Sequence, residues 1–114
     1  MRCEVIIKQG NRRRYIGFQV FFRNKKESIS KQDVIAAIRR KCQELFDVEI
    51  KEKRIFLVKF DKDTGIVRCK HTEKESTIEI LQNIKKIKTD TEVEIKTLGT
   101  SGTIKSLEKK HMFR

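Results

Sequence analysis

The stretch that decides the fold is the run Arg12-Arg13-Arg14-Tyr15-Ile16-Gly17-Phe18-Gln19-Val20-Phe21-Phe22. Side chains of an extended chain point alternately to the two faces of a sheet. One face of this run is entirely apolar and consists of Ile16, Phe18, Val20 and Phe22. The run therefore predicts a central strand whose apolar face packs on the core. The other face carries Tyr15, Gly17, Gln19 and Phe21, next to three guanidinium groups of the kind that pair with phosphates.

Two amphipathic helices are predicted further along the chain. Ser30, followed by Asp33 at capping-box spacing, marks the start of the first helix. Its apolar face is given by helical spacing and consists of Val34, Ile35, Ile38, Cys42, Leu45 and Phe46. The second helix is expected at about residues 75–87, with Ser76 as its cap. Its inward residues are expected to be Ile80 or Leu81, Ile84 and Ile87.

Three more strands are expected, at residues 54–60, 66–71 and 92–98. In the first of these, alternation sets Phe56, Val58 and Phe60 inward and Ile55, Leu57 and Lys59 outward. Residues 61–65 predict a hairpin loop in which Gly65 takes the left-handed conformation. Residues 24–26 are expected to form a polar turn, and residues 103–110 a short basic helix.

This order of elements predicts an α+β fold, an RRM-like and ferredoxin-like βαββαβ sandwich. It would have an antiparallel sheet, two packed helices and a short basic C-terminal helix. In this topology both helices cover one face of the sheet, the first and third strands lie at its centre, and the other face is open. We expect residues 1–11 to form an N-terminal extension and residues 12–114 a single domain with a basic C-terminal tail. The length of 114 residues fits one compact domain.

The composition is strongly basic. There are 28 Lys and Arg residues against 16 Asp and Glu, which gives a net charge of +12. A domain with this imbalance and a pI near 9.9 favours a phosphate-rich partner, and hence nucleic acid. No apolar run reaches the roughly 18 residues of a membrane span, and residues 1–10 do not form a signal peptide. The sequence therefore predicts a soluble cytoplasmic protein without a membrane partner.

The sequence predicts no catalytic and no metal site. Cys3, Cys42 and Cys69 are widely spaced and lack a C-x-x-C pair, which argues against disulfides and zinc. Cys42 and Cys69 stand where apolar residues are expected and are predicted to be core thiols. His71 and His111 are too few and too isolated in the sequence to form a metal or catalytic site. Asp61 and Asp63 flank a turn, where Asp is favoured for backbone reasons.

The chemistry that remains is spread over basic clusters and exposed rings. The candidate RNA-binding residues are Arg12, Arg13, Arg14, Tyr15, Phe21, Arg39, Arg40, Lys41, Arg68, Lys70, Ser101, Thr103, Lys105, Lys109 and Lys110. Backbone N–H groups at Ser101 to Thr103 are candidates for a phosphate site, with a simple helix cap as the alternative. The third strand carries no aromatic residue, so recognition of RNA shape and backbone is favoured over base reading. Ile55, Leu57 and Ile66 are the candidate protein-interface residues.

Three segments together resemble a known family. They are Arg13-Arg14-Tyr15-Ile16-Gly17-Phe18, then Gly65-Ile66-Val67-Arg68-Cys69, then Thr100-Ser101-Gly102-Thr103-Ile104-Lys105. With the helix end Leu45-Phe46 between them, they resemble archaeal ribonuclease P protein component 2 and its eukaryotic Pop5-type relatives, over roughly residues 12–111. The chain has Asp47 where the resemblance leads us to expect a glycine. Members of the family often have a proline-containing leader before the arginines, whereas residues 1–11 of this sequence contain no proline.

The resemblance implies a non-catalytic subunit of a ribonucleoprotein. In that family the RNA is the catalyst: it removes the 5′ leader of precursor tRNA by endonucleolytic cleavage and uses Mg²⁺ ions, and the protein supports its fold. The implied partners are ribonuclease P RNA, precursor tRNA, a TIM-barrel-type protein subunit and other ribonuclease P proteins. The implied assembly is a homodimer within a heterotetramer, and no cofactor binds the chain itself.

Two other functions fit the residues. One is an RNA-binding module of another ribonucleoprotein, for example a ribosome-associated factor, which only the identity of the bound RNA distinguishes. The other is a small-ligand regulatory domain of the same topology, because this topology serves several functions. A strongly basic chain without an acidic or glycine-rich ligand loop argues against the second.

Overall fold

The computed structural model describes residues 13–23, 28–88 and 91–109. The predicted N-terminal extension, Arg12, the turn at residues 24–26, Lys110 and His111 lie outside this part of the chain. No helix among the described residues has the length and apolar content needed to cross a membrane.

The framework is one antiparallel sheet of five strands. The strands are β1 (Arg13–Phe22), β2 (Phe56–Asp61), β3 (Thr64–Lys70), β4 (Lys86–Ile87) and β5 (Thr91–Ser101). Their order across the sheet is β2-β3-β1-β5-β4, and each neighbouring pair is antiparallel. The prediction that the first and third strands are interior is thus confirmed. The two-residue strand β4 is an addition that the sequence did not reveal.

The core lies between one face of this sheet and two helices. Ile16, Phe18 and Val20 are at most 1% exposed, as alternation along β1 predicted. They form one buried cluster with residues of both helices, including Val34 and Ile80. Burial of an apolar side chain of this size contributes about 1.5–3 kcal/mol, so this cluster holds the sheet and the helices together.

Helix α1 (Lys31–Phe46) begins where the capping box predicted. The Asp33 N–H donates to the Ser30 hydroxyl at 3.2 Å, and the Ser30 N–H donates to the Asp33 carboxylate at 2.9 Å. These contacts satisfy two of the N–H groups at the helix start. The helix ends at Asp47, whose backbone is left-handed with φ 58 and ψ 35. That conformation explains why a glycine is expected there, and Asp is one of the few other residues that adopt it. Leu45 was predicted inward but is 39% exposed.

Helix α2 (Lys74–Asn83) is shorter than predicted and follows a 3₁₀ turn at His71–Glu73. Ser76 is not its cap: the Ser76 hydroxyl donates to the backbone carbonyl and the carboxylate of Glu73. Ile84 and Ile87 are buried, as predicted, but they lie after the helix, and Ile87 belongs to β4.

The predicted register of β2 is wrong. Ile55 is 1% exposed and Leu57 packs against the helix-side core, so both face inward. Phe56, predicted inward, is 45% exposed. A bulge between Leu57 and Lys59 then changes the alternation, and Phe60 packs on the core against Phe18. A bulge inserts one residue and so moves the following side chains to the other face.

The hairpin between β2 and β3 also differs from prediction. The left-handed residue is Lys62, with φ 61, and Gly65 does not have a positive φ. Gly65 is required for a different reason. A Cβ atom at this position would lie 2.6 Å from Cζ of Phe18 and 3.0 Å from the carbonyl oxygen of Lys59.

Candidate nucleic-acid interface

Strand register brings an aromatic-cation row together on the sheet face opposite the two helices. Phe56 pairs with Arg68, Arg68 with Tyr15, and Tyr15 with Ser101. Directly opposite residues of neighbouring strands project from the same face, so these four form a row across the sheet. We call Tyr15, Arg68 and Phe56 the aromatic row. Phe56 was not among the candidates because its strand was read in the wrong register.

The centre of the row is a guanidinium beside an exposed ring. Cζ of Arg68 lies 4.9 Å from the centroid of the Phe56 ring, within the range of a cation–π contact. Phe56 is 45% exposed, and Tyr15 and Arg68 are half-buried. Strands β1 and β2 are separated only by β3, so Tyr15 and Phe56 are roughly 10 Å apart. This spacing allows contact with a nucleobase and its phosphate together.

A second aromatic-cation contact lies towards the other end of β1. Phe21 is 43% exposed, and Nζ of Lys96 is 5.7 Å from its ring centroid. Tyr15 and Phe21 are six residues apart on one strand, hence about 20 Å apart. Both rings lie on the predicted face, but they do not form one continuous surface.

The C-terminal helix lies between these two contacts. Helix α3 (Ile104–Leu107) packs on β1 and β5. Leu107 and Ile66 are at most 1% exposed, yet neither belongs to the cluster on the helix side of the sheet. Lys59 is joined to Glu108 by an ion pair of 2.6 Å. The predicted open face is therefore closed in its middle, and Ile66 is buried by its own chain.

The three predicted protein-interface residues differ in exposure. Ile55 and Ile66 are at most 1% exposed, whereas Leu57 is half-buried and packs against the helix-side core. The apolar surface in this region is instead a groove of about 270 Å³ between α1 and β2. It is lined by Ile35, Ile38, Arg39, Ile50, Lys51, Ile55, Phe56 and Leu57.

Arg13 and Arg14 lie on opposite faces of the sheet. Arg13 is exposed and pairs with Lys70, on the face of the aromatic row. Arg14 pairs with Cys69, which is in the helix-side core. Arg14 lines a cavity of about 190 Å³ with His71, Thr72, Lys74 and Glu75. Strand alternation alone predicts this separation. It was missed because the three arginines were treated as one cluster.

Hydrogen bonding and burial shift the pKa values of one carboxyl and two thiol groups nearby. Lys53 donates to Glu73 at 2.9 Å, and this hydrogen bond lowers the pKa of the Glu73 carboxyl. Burial raises the pKa of the Cys69 thiol, which keeps it neutral. Burial likewise raises the pKa of Cys42, whose Sγ donates to the carbonyl of Val48. Both thiols are free, as their predicted role in the core requires.

The other candidates lie on the helix layer and near α3. Arg39 and Arg40 are exposed, whereas Lys41 is half-buried and pairs with Glu44 at 2.8 Å. Lys105 and Lys109 are exposed. The Thr103 hydroxyl accepts the Ser106 N–H, and the Ser101 hydroxyl accepts the Thr103 N–H. The cap alternative therefore accounts for Ser101 and Thr103.

No group of three or more His, Cys, Asp or Glu side chains placed to hold a metal ion occurs within residues 13–23, 28–88 and 91–109. What this surface does present is cations beside exposed rings. A small basic α+β domain with such a surface is of the class that contacts nucleic acid.

Comparison with known proteins defines the family. Residues 14–112 match the model of the Rpp14/Pop5 family, and the chain belongs to this family. It is 32% identical over 105 residues to ribonuclease P protein component 2 of Pyrococcus furiosus, covering 90% of this chain and 84% of that protein. The family resemblance noted in the sequence is thereby confirmed.

A solved structure shares the fold. One chain of the cryo-EM structure of yeast ribonuclease MRP superposes with a TM-score of 0.63 at 12% identity, covering 82% of this chain and 76% of that one. At this identity the likeness concerns the fold.

Proposed function

We propose that this chain is a protein subunit of ribonuclease P. In this role it supports the catalytic RNA during endonucleolytic removal of the 5′ leader from precursor tRNA. The observation that carries the proposal is the family match over residues 14–112. The geometry of the aromatic row and the charge of +12 support it, because both suit binding to an RNA backbone.

The chain's own contribution is electrostatic and positional. RNA segments that approach closely repel each other through their phosphates, and bound Lys and Arg side chains reduce this repulsion. We propose that Arg13, Arg68 and Lys70 hold phosphates and that Tyr15 and Phe56 stack on unpaired bases. Their common face in the strand register supports this assignment. Mg²⁺ bound by the RNA supplies the hydrolytic chemistry. The residues of this chain hold the RNA in the reactive arrangement.

We also propose that the fold is an elaborated RRM-like sandwich. The strand order β2-β3-β1-β5, with α1 and α2 contributing to one core cluster, supports an RRM-like and ferredoxin-like sandwich. Strand β4 and helix α3 are then additions to that sandwich.

The proposed partners are a TIM-barrel-type ribonuclease P subunit, other ribonuclease P proteins, ribonuclease P RNA and precursor tRNA. We further propose a homodimer within a heterotetramer, acting in the cytoplasm of an archaeal cell. Light scattering of the co-expressed subunits tests the stoichiometry. A mass equal to one copy of each protein contradicts the heterotetramer.

The function is tested by identifying the RNA that the chain carries. The tagged chain is purified from its native cells and the co-purifying RNA is sequenced. We expect ribonuclease P RNA and precursor tRNA to be enriched over total RNA. A double variant, Tyr15→Ala with Arg68→Gln, should lose much of this enrichment while remaining folded. Enrichment of ribosomal RNA instead would point to the other ribonucleoprotein alternative, and no bound RNA at low salt would contradict RNA binding altogether.

A further inference from the structure

A basic cleft lies on the helix layer, on the opposite side of the molecule from the aromatic row. It occupies about 260 Å³ between α1 and the segment that joins α2 to β4. Its lining consists of Ala37, Arg40, Lys41, Glu44, Ile84, Lys85 and Lys86. Ala37 and Ile84 are buried and form an apolar floor, while the remaining five side chains are charged. We call this the helix-side cleft.

The charges of the cleft are unbalanced. Four cations face one carboxylate, and that carboxylate, of Glu44, pairs with Lys41 at 2.8 Å. Arg40, Lys85 and Lys86 are exposed and take part in none of the ion pairs found in the described part of the chain. Holding like charges close together is unfavourable unless an anion neutralises them. Lys85 and Lys86 were not among the residues that the sequence singled out.

We propose that the helix-side cleft binds the phosphodiester backbone of RNA and forms a second RNA contact, separate from the aromatic row. The inference rests on the proposed function, because it names a further surface through which the same subunit engages RNA. The sheet and the core lie between the cleft and the row, so one duplex cannot fill both by running along a single face. The chain therefore joins two RNA segments, as expected of a subunit that stabilises an RNA fold.

The lining favours RNA over a protein partner. Protein–protein interfaces depend on buried apolar or aromatic anchors at their centre. The exposed large apolar side chains of the described chain are Phe21, Leu45 and Phe56, and none of them lines the cleft. Protein–nucleic acid interfaces are more polar and far more positive, as this cleft is.

The test measures the salt dependence of RNA binding by the full chain. The probes are a ribonuclease P RNA transcript from the same genome and a ribosomal RNA fragment of equal length. The test variant is Lys85→Gln with Lys86→Gln. The control is Lys51→Gln with Lys62→Gln, which removes the same charge at exposed positions outside the cleft. A third variant, Glu44→Gln, removes the carboxylate of the cleft. Thermal melting confirms that each variant is folded.

We expect the test variant to bind ribonuclease P RNA roughly three- to tenfold more weakly and to lower the slope of log affinity against log salt by about 1.5, as for two lost phosphate contacts. The control should change the slope much less, and Glu44→Gln should raise the affinity. Equal effects of the test and control variants would contradict the proposal that the cleft binds RNA.

The experiment distinguishes failure of the proposed function from failure of the proposed cleft. If the wild-type chain prefers neither RNA, the ribonuclease P assignment is wrong. The same comparison of variants on the ribosomal fragment then still shows whether the cleft binds RNA. If the wild-type chain binds neither RNA at low salt, both proposals are wrong.

Discussion

The substitution Gly65→Ala tests how the central sheet is packed. The added Cβ would lie 2.6 Å from Cζ and 2.9 Å from Cε2 of Phe18, whereas carbon atoms normally approach to about 3.5–4.0 Å. The Lys59 carbonyl oxygen is 3.0 Å from the same position and limits movement of the new methyl group. Phe18 is fully buried and stacked on Phe60, with ring centroids 6.3 Å apart. The Phe18 ring must therefore move by close to 1 Å within a filled core.

This displacement sets the expected loss of stability. Overpacking a well-packed core costs about 1–3 kcal/mol, and we expect the upper half of this range because Phe60 restrains the ring. For a domain of this size, a loss of 2–3 kcal/mol lowers the melting temperature by about 10–20 °C. Urea denaturation followed by circular dichroism gives the free energy of unfolding, and a thermal scan gives the melting temperature.

Gly102→Ala is the matched control. No heavy atom lies within 4 Å of the Cβ that it introduces, so its stability should change by less than about 0.5 kcal/mol. Phe18→Leu then tests whether the Phe18 ring, and not the backbone, causes the loss of stability, since leucine lacks the ring atoms nearest to the new methyl group. In the Phe18→Leu background, Gly65→Ala should cost at least about 0.5 kcal/mol less than in the wild type. Equal losses in both backgrounds, or a Gly65→Ala variant as stable as Gly102→Ala, would refute the reasoning.

Three further predictions concern the cap, an ion pair and the thiols. Ser30→Ala removes the acceptor of the capping box and should lower the free energy of unfolding by about 1 kcal/mol, measured in urea. The Lys53 hydrogen bond lowers the pKa of Glu73 below its ordinary 4.5, so the stability it adds is present above pH 4.5 and is lost as the pH falls through the folded pKa. Glu73→Gln should therefore flatten the acid side of the stability–pH curve, and an unchanged curve would contradict this. Burial raises the pKa of Cys42 and Cys69, so native protein at pH 8 should resist iodoacetamide at both thiols. Mass spectrometry measures their labelling, and rapid labelling without denaturant would show that the core opens.

Local sequence signals predicted the elements that depend on local chemistry. The capping box fixed the start of α1, and strict alternation fixed the inward face of β1. The predicted register of β2 was wrong because its odd and even positions are both apolar, so alternation does not indicate which face is buried. The apolar residues in question are Ile55, Phe56, Leu57 and Val58. The bulge after Leu57 adds a second change of face that only pairing with β3 determines.

The C-terminal helix could not be predicted as a cover for the sheet. It spans only Ile104–Leu107, which is too short for a helical period to indicate which face is apolar. Its position depends on contacts far away in sequence, among them the Lys59–Glu108 ion pair. The cleft on the helix layer was missed for the same reason, because Arg40 and Lys85 become neighbours only when α1 packs beside the end of α2.

Closure of the sheet by α3 has a consequence for RNA recognition. An open sheet of this topology offers a platform on which several bases stack in succession. Here Ile66 is covered, and the exposed rings of Phe56 and Phe21 lie on either side of the cover. In the proposed complex with RNA, base stacking would be confined to short, separated contacts, and most of the binding free energy would come from cations at the rim of the sheet and in the proposed helix-side cleft. Such binding follows the path of the RNA backbone and falls steeply with salt, so it selects an RNA by the arrangement of its segments more than by its sequence.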